Sequence, residues 1–329
     1  MFLDVMKQSR LFWVGPSIER ESAETRESRE TTMTEPKNIA RRSAMWIAAG
    51  LLGFPLLSGC SPSKLAVGAM VPILENTKAA AFASNDIRTF IAATPSNLFL
   101  LEGLIKTEPN NRYLRLSASM LYFSYAFTFD DPADADYATM LYKKGLEHAR
   151  ASLFHDKKIK SAWDKPYDEF AAGTKLIMAD DLEAAVWTMA NWSQIIGLHL
   201  DSTQVLTEIP RLVALLERAI EIDGTYFEGL PLILMGSLHA FRPPMMGGDP
   251  EASRVSFEKA FDVSDGKFLL ASYLYAKFYC YRVQDADEFE SRLRYVLDQP
   301  DTILPEYRLL NALVKQKAAN LLKEKDELF

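Results

Sequence analysis

Two stretches of this chain, "LLERAIEIDGTYF" and "SFEKAFDVSDGKF", carry one pattern: an apolar residue three before an alanine, then an acidic residue, then a glycine that closes the segment. The alanines, Ala219 and Ala260, lie 41 residues apart. A weaker copy, "LLEGLIKTEPNNRYL", puts Leu104 in the alanine's place, and "GLEHARASLFHD" puts Ala149 there. A unit of this kind buries its apolar face only against a neighbour, so a chain built from such units must stack them. Elsewhere apolar residues recur at three and four with no β-alternation of any length, which makes the chain all-helical. Proline, glycine and Asp/Asn clusters at "ATPSN", "TEPNN", "FDDPAD", "DKPYDE", "EIDGTY", "GGDPEA", "VSDGKF" and "DQPD" are predicted to end helices of roughly ten to twenty residues.

After Pro210, residues Leu212, Val213, Leu215, Leu216, Ala219 and Ile220 form one apolar stripe, with Arg211, Glu217, Arg218 and Glu221 turned elsewhere. The next helix start is well marked: Asp249 is a good N-cap, Pro250 suits the first helical position, and Glu251 favours the positive helix end. Ser253, Phe257 and Ala260 then resemble the small-aromatic-small spacing of tetratricopeptide repeats, at a spacing longer than the regular repeat. The fold expected is an all-α, tetratricopeptide-like solenoid of stacked helical hairpins with a concave inner surface.

The amino-terminal region is of another kind. Residues 1–32, with "SIERESAETRESRETT" at their centre, mix charges with Ser and Thr and show no apolar period, so they would not fold alone. Met33 opens a short basic leader, "MTEPKNIARR", and an apolar run from Met45 to Leu57 follows. That run is shorter than the ~20 residues a membrane-spanning helix needs, and the order of charged, apolar and small residues is that of a signal peptide. It ends in Leu57-Ser58-Gly59-Cys60, which resembles the lipobox of bacterial lipoproteins. The division expected is therefore 1–32 an over-extended gene start, 33–59 a lipoprotein signal peptide, and 60–329 a lipid-anchored helical-repeat domain. The resemblance implies acylation of Cys60, and Ser61 rather than Asp after it implies the periplasmic face of the outer membrane, with the inner membrane the lesser alternative. Each buried CH₂ contributes about 0.8 kcal/mol, so two or more acyl chains hold a protein stably.

Residues 61–329 carry 29 Lys/Arg against 37 Asp/Glu, a net charge of −8. A body of that sign is a poor partner for nucleic acid. With Cys60 acylated, Cys280 is the only thiol left, so disulfides cannot hold the fold, and "YAKFYCYRV" reads as a buried setting for it. The four histidines, His148, His155, His199 and His239, show no metal-ligand spacing, and no phosphate loop, dinucleotide fingerprint or nucleophile elbow is present. The chain is read as a non-enzyme with no cofactor and no metal.

From about Ala184 onward, the segments "VWTMANWSQIIGL", "IPRLVALLERAIEIDGTYFEG", "GGDPEASRVSFEKAF", "LYAKFYCYRVQDADEFESRLRYVL", "LLNALVKQKAANLL" and "DELF", with a weaker "MLYKKGLEHA", resemble the TatT family, the T-component associated with TRAP (tripartite ATP-independent periplasmic) transporters. The resemblance implies a periplasmic lipoprotein that pairs with the substrate-binding component of a TRAP system. It also implies a homo-oligomer, a trimer, whose protomers carry a largely apolar channel for small apolar or amphipathic organic anions. Trp187, Trp192, Tyr226 and Phe227, with Tyr273, Tyr275 and Tyr279, are the candidate channel lining, because Tyr and Trp join an apolar body to a polar tip. Each could instead be an ordinary core ring. The loop "RPPMMGGD" places Met245 and Met246 beside Gly247 and Gly248, an adaptable apolar surface for a partner. The alternative function is a structural scaffold lipoprotein that gathers envelope-assembly proteins without a small ligand. On this division of the chain, mass spectrometry of cells making the protein yields peptides from beyond Cys60 and none from 1–32; one peptide from 1–32 refutes the start at Met33.

Overall fold

The computed structural model describes residues 62–129, 132–200, 202–242, 244 and 247–329, and among them there are helices and no strand. The lipobox with Cys60, the signal segment, and Met245 and Met246 lie outside the described residues. The long elements are α1 (Pro62–Phe82), α2 (Ile87–Thr107), α3 (Arg112–Ala126), α4 (Ala135–Leu153), α5 (Lys157–Trp163), α6 (Tyr167–Thr174), α7 (Leu182–Leu198), α8 (Ile209–Asp223), α9 (Tyr226–Phe241), α10 (Pro250–Ser264), α11 (Leu269–Leu274), α12 (Ala286–Asp298) and α13 (Arg308–Lys323). A π-helical stretch, Tyr275–Cys280, continues α11, and a single 3-10 turn, Ala179–Asp181, leads into α7.

The starts follow from short polar side chains that satisfy orphan N–H groups. Asp86 accepts from Thr89 N at 2.9 Å, Asn111 from Leu114 N at 3.2 Å, and Asp285 from Glu288 N at 2.9 Å. Asp249 caps α10 through both Glu251 N and Ala252 N, each at 3.0 Å, with Pro250 first in the helix as its sequence predicts. One predicted boundary is overturned: "ATPSN" does not end a helix, because α2 runs through Pro95. A proline inside a helix costs about 3 kcal/mol, but Phe90, Leu98 and Leu101 are all buried on either side of it. Burying three such side chains contributes about 1.5–3 kcal/mol each, which outweighs the break.

The long helices pack in succession, α2 on α3, α3 on α4, α4 on α7, α7 on α8, α8 on α9 and α9 on α10, while the short pair α5 and α6 packs together and α6 lies on α8. The repeat positions face these joints, for Ala149, Ala219 and Ala260 are buried and so are Ser253 and Phe257. The α9–α10 hairpin is the tightest. Ser253 Oγ donates to Gly236 O at 2.8 Å, and a Cβ on Gly236 would lie 2.8 Å from the Phe257 ring. At the α2–α3–α4 joint the buried His148 is held on both sides, with Nε2 3.0 Å from Glu102 and Nδ1 3.1 Å from Arg115. Arginine can only donate, so Nδ1 accepts and Nε2 carries the proton; burial lowers the His148 pKa and keeps the ring neutral.

The stack then closes. Helix α13 packs back against α1 and α2, with Leu309 and Leu313 buried beside Phe90. Asn85 Nδ2 donates to Asp301 at 3.2 Å, and Lys317 lies 4.4 Å over the Phe127 ring. An open solenoid leaves its terminal helices apart; here they meet. The hairpin geometry gives a direct check. Gly236→Ala gains about 1 kcal/mol of helix propensity but meets the fully buried Phe257 ring, an overpacking cost of about 1–3 kcal/mol. The variant therefore unfolds at lower urea than the parent, whereas Gly103→Ala, whose Cβ would meet nothing, unfolds at higher urea.

Candidate functional site

The backbone is most unusual at the start of α9. Phe227 (φ 49°, ψ 58°), Glu228 (φ 55°, ψ 35°) and Gly229 (φ 79°, ψ 22°) form a left-handed turn before the right-handed helix resumes. Glycine takes that conformation freely, but the two residues before it do so at a cost of about 1–3 kcal/mol each. Gly229 also sits close over Ala260, at 3.4 Å from its Cα to an added Cβ. The turn drives the Phe227 ring inward, edge-on to Trp187 (5.5 Å between centroids), Phe268 (6.1 Å) and Tyr307 (5.2 Å). Phe123 extends the group by packing on Trp187 at 5.6 Å. These rings come from α3, α7, α9, the approach to α11 and the approach to α13, so one aromatic hub joins distant parts of the closed stack.

The sequence-predicted aromatic residues divide among three places. Trp187, Tyr226 and Phe227 belong to the hub. Trp192 is one turn away from it, buried on Trp163 at 5.7 Å, with Nε1 donating to Glu208 at 2.6 Å. Tyr275 and Tyr279 stack at 4.7 Å in the π-helical stretch, against Phe257 and Phe261 and beneath the Arg292 guanidinium; Tyr273 is buried on the same segment, 5.9 Å from Lys277. The ring contacts of Tyr275 are with Tyr279, Phe257 and Phe261, whereas those of Phe227 are with Trp187, Tyr226, Phe268 and Tyr307. Cys280 closes the π-helical stretch, fully buried, and burial pushes its thiol up to about 12. Of the methionine loop, Gly247 is exposed with φ 81° and Gly248 is half-buried. The loop's end is tied down by Asp249 N donating to His239 O at 3.0 Å.

Beside the hub lies a cavity of about 240 Å³ that pattern reading did not single out. Lys78 of α1, Arg112, Tyr113 and Met120 of α3, and Glu183 of α7 line it, with Asp180 of the 3-10 turn at its edge. Arg112 fixes that turn, donating to Asp180 O and to Asp181 Oδ1, both at 3.0 Å. Lys78 lies 5.9 Å over the Tyr113 ring. The Tyr113 hydroxyl is buried and near Ser117 without a hydrogen bond in good geometry, and burial raises its pKa.

Glu183 connects cavity and hub. Burial raises its pKa, and Lys78 and Arg112 offset this only in part. On the hub side its charge adds to burial in raising the Tyr226 hydroxyl. The neighbouring Trp187 indole N–H opposes that shift, yet Nε1 is buried and meets no acceptor in hydrogen-bond geometry. Two polar tips, on Tyr113 and Glu183, thus stand with unused hydrogen-bonding capacity in the lining of one small space, while the Trp187 indole lies on the hub side of Glu183 against Tyr226. No group of three or more His, Cys, Asp or Glu side chains among the described residues is arranged to hold a metal. No described helix is long and apolar enough to cross a membrane.

The signals for the cavity were weak because its residues come from four elements and are individually ordinary surface types. A glycine after "YFE" was the only mark of the left-handed turn. Set beside known proteins, the chain matches the TAtT family model, TRAP transporter T-component, over residues 83–329. Among curated proteins, none matches. The turn itself can be tested. Glu228→Gly removes strain and a half-buried carboxyl whose pKa is raised by burial and by Glu306, so it stabilises by about 1 kcal/mol. Phe227→Ala empties the hub and costs about 3 kcal/mol or more. Urea unfolding measures both.

Proposed function

The chain belongs to the TRAP transporter T-component family, and from that premise we propose that it serves a TRAP system as a non-catalytic periplasmic accessory. It docks the periplasmic substrate-binding component and holds a small amphipathic organic ligand beside the aromatic hub. The observation that carries the ligand half is the space lined by Lys78, Tyr113 and Glu183, where the Tyr113 hydroxyl is buried without a hydrogen-bond partner in good geometry. A concave site with an apolar floor and a few convergent polar groups is the usual form of a small-molecule site. A volume of about 240 Å³ lies below the ~300–1,000 Å³ of sites for drug-sized ligands, so the cargo is small. The backbone strain at Phe227 and Glu228 supports the same place, since such strain clusters at ligand sites.

Acyl chains on Cys60 hold the body at the periplasmic face of the outer membrane, and the protein assembles as a homo-oligomer, a trimer. Channel and cavity are one system in this reading: Trp187, Tyr226 and Phe227 form the apolar wall, and the cavity is the polar mouth.

Affinity capture from periplasmic extract with carboxyl-tagged, detergent-solubilised full-length protein tests the partner. A solute-binding protein of the TRAP type in the eluate is the expected result. Envelope-assembly proteins with no such partner overturn it in favour of the scaffold. Cys60→Ala is expected to abolish palmitate labelling and to move the protein from the membrane to the soluble fraction.

A further inference from the structure

Charge in the cavity is divided unequally. Arg112 is committed to Asp181 and to the Asp180 carbonyl, whereas Lys78, among the described residues, lies over the Tyr113 ring without an ion pair. Glu183 faces these two cations without a hydrogen bond or ion pair to any described residue. A plain organic acid placed here would set its carboxylate on Lys78 and confront the Glu183 carboxyl with nothing to offer it. A ligand with a hydrogen-bond donor next to its carboxylate would satisfy both ends at once.

We propose that the cavity binds a short-chain amphipathic acid bearing a hydroxyl or amino group on the carbon next to its carboxylate. The carboxylate meets Lys78, the neighbouring donor meets Glu183, and the Tyr113 hydroxyl, which is buried and unpartnered, takes a second carboxylate oxygen. Leu116 and Met120, both in the lining, receive a branched tail of a few carbons, the size that about 240 Å³ admits. Glu183 then acts as a discriminator, because an acid without the donor leaves a half-buried carboxyl unpaired or sets two carboxylates against each other. This assignment rests on the reading of the chain as a ligand-holding transport accessory.

Isothermal titration of detergent-solubilised full-length protein with three probes tests it: 2-hydroxy-4-methylpentanoate, leucine and 4-methylpentanoate. The expected result is binding of at least one of the first two, and binding of the third weaker by about tenfold or more. Hydroxy-acid binding with no leucine binding, or the converse, identifies which donor Glu183 takes. Lys78→Met abolishes binding. Glu183→Gln, which keeps size and shape, reduces the preference over 4-methylpentanoate to about threefold or less, with thermal melting recorded beside it to show that the variant is folded. Equal binding of all three probes, binding of none, or an unchanged preference in folded Glu183→Gln overturns the proposal. If capture still returns the solute-binding protein while no probe binds, the ligand assignment alone has failed. If the probes bind as expected and the partner is absent, it is the transport reading that has failed.

Discussion

Everything in this molecule turns on where the Phe227 ring goes. Two residues without glycine's freedom are held left-handed, a cost of about 1–3 kcal/mol each. Phe227 makes edge contacts with Trp187, Phe268 and Tyr307, and such contacts contribute about 0.5–1.5 kcal/mol each beyond the area they bury. The two sides are of similar size, so the turn persists because the hub and the close approach of Gly229 to Ala260 jointly determine it. The hub in turn draws α7, α9 and the approaches to α11 and α13 to one point. A mixed polar space is left on its flank, where Glu183 looks both ways.

The local rules of helix formation were legible in the sequence. Asp249 and Pro250 begin a helix as their chemistry requires, and the alanines at 149, 219 and 260 mark buried joints. Cys280 is buried and its thiol is held neutral, as an apolar setting dictates. Pro95 misled because propensity is a local quantity, and the burial of Phe90 and Leu98 that overrides it is not. Tyr281 misled in the opposite direction: "YAKFYCYRV" reads as a buried setting, yet Tyr281 stands exposed near its end. The π-helical stretch from Tyr275 to Cys280 changes the angular step on which that expectation relied.

The candidate site was legible only in its aromatic part, for a related reason. Aromatic residues announce themselves by type, so Trp187, Tyr226 and Phe227 could be named before any fold was known. Their division from Tyr275 and Tyr279 could not, since it depends on which helices meet. Lys78, Arg112, Tyr113 and Glu183 are unremarkable in sequence and gain meaning only when α1, α3 and α7 converge. Glu183 is four residues before Trp187, one turn of helix, and that spacing is the single sequence signal that could have linked the polar set to the aromatic one.

The meeting of α13 with α1 and α2 also restricts how such a protein can change over evolutionary time. Open repeat arrays lengthen or shorten by whole units, because each unit answers only to its neighbours. A stack whose last helix must return to its first has a fixed circumference. Duplicating or losing one hairpin would carry Leu309 and Leu313 away from Phe90, and the error could not be absorbed at a free end. Lineages of this fold are therefore expected to drift in sequence, with the repeats decaying as far as "LLEGLIKTEPNN" has decayed, while the number of hairpins stays the same.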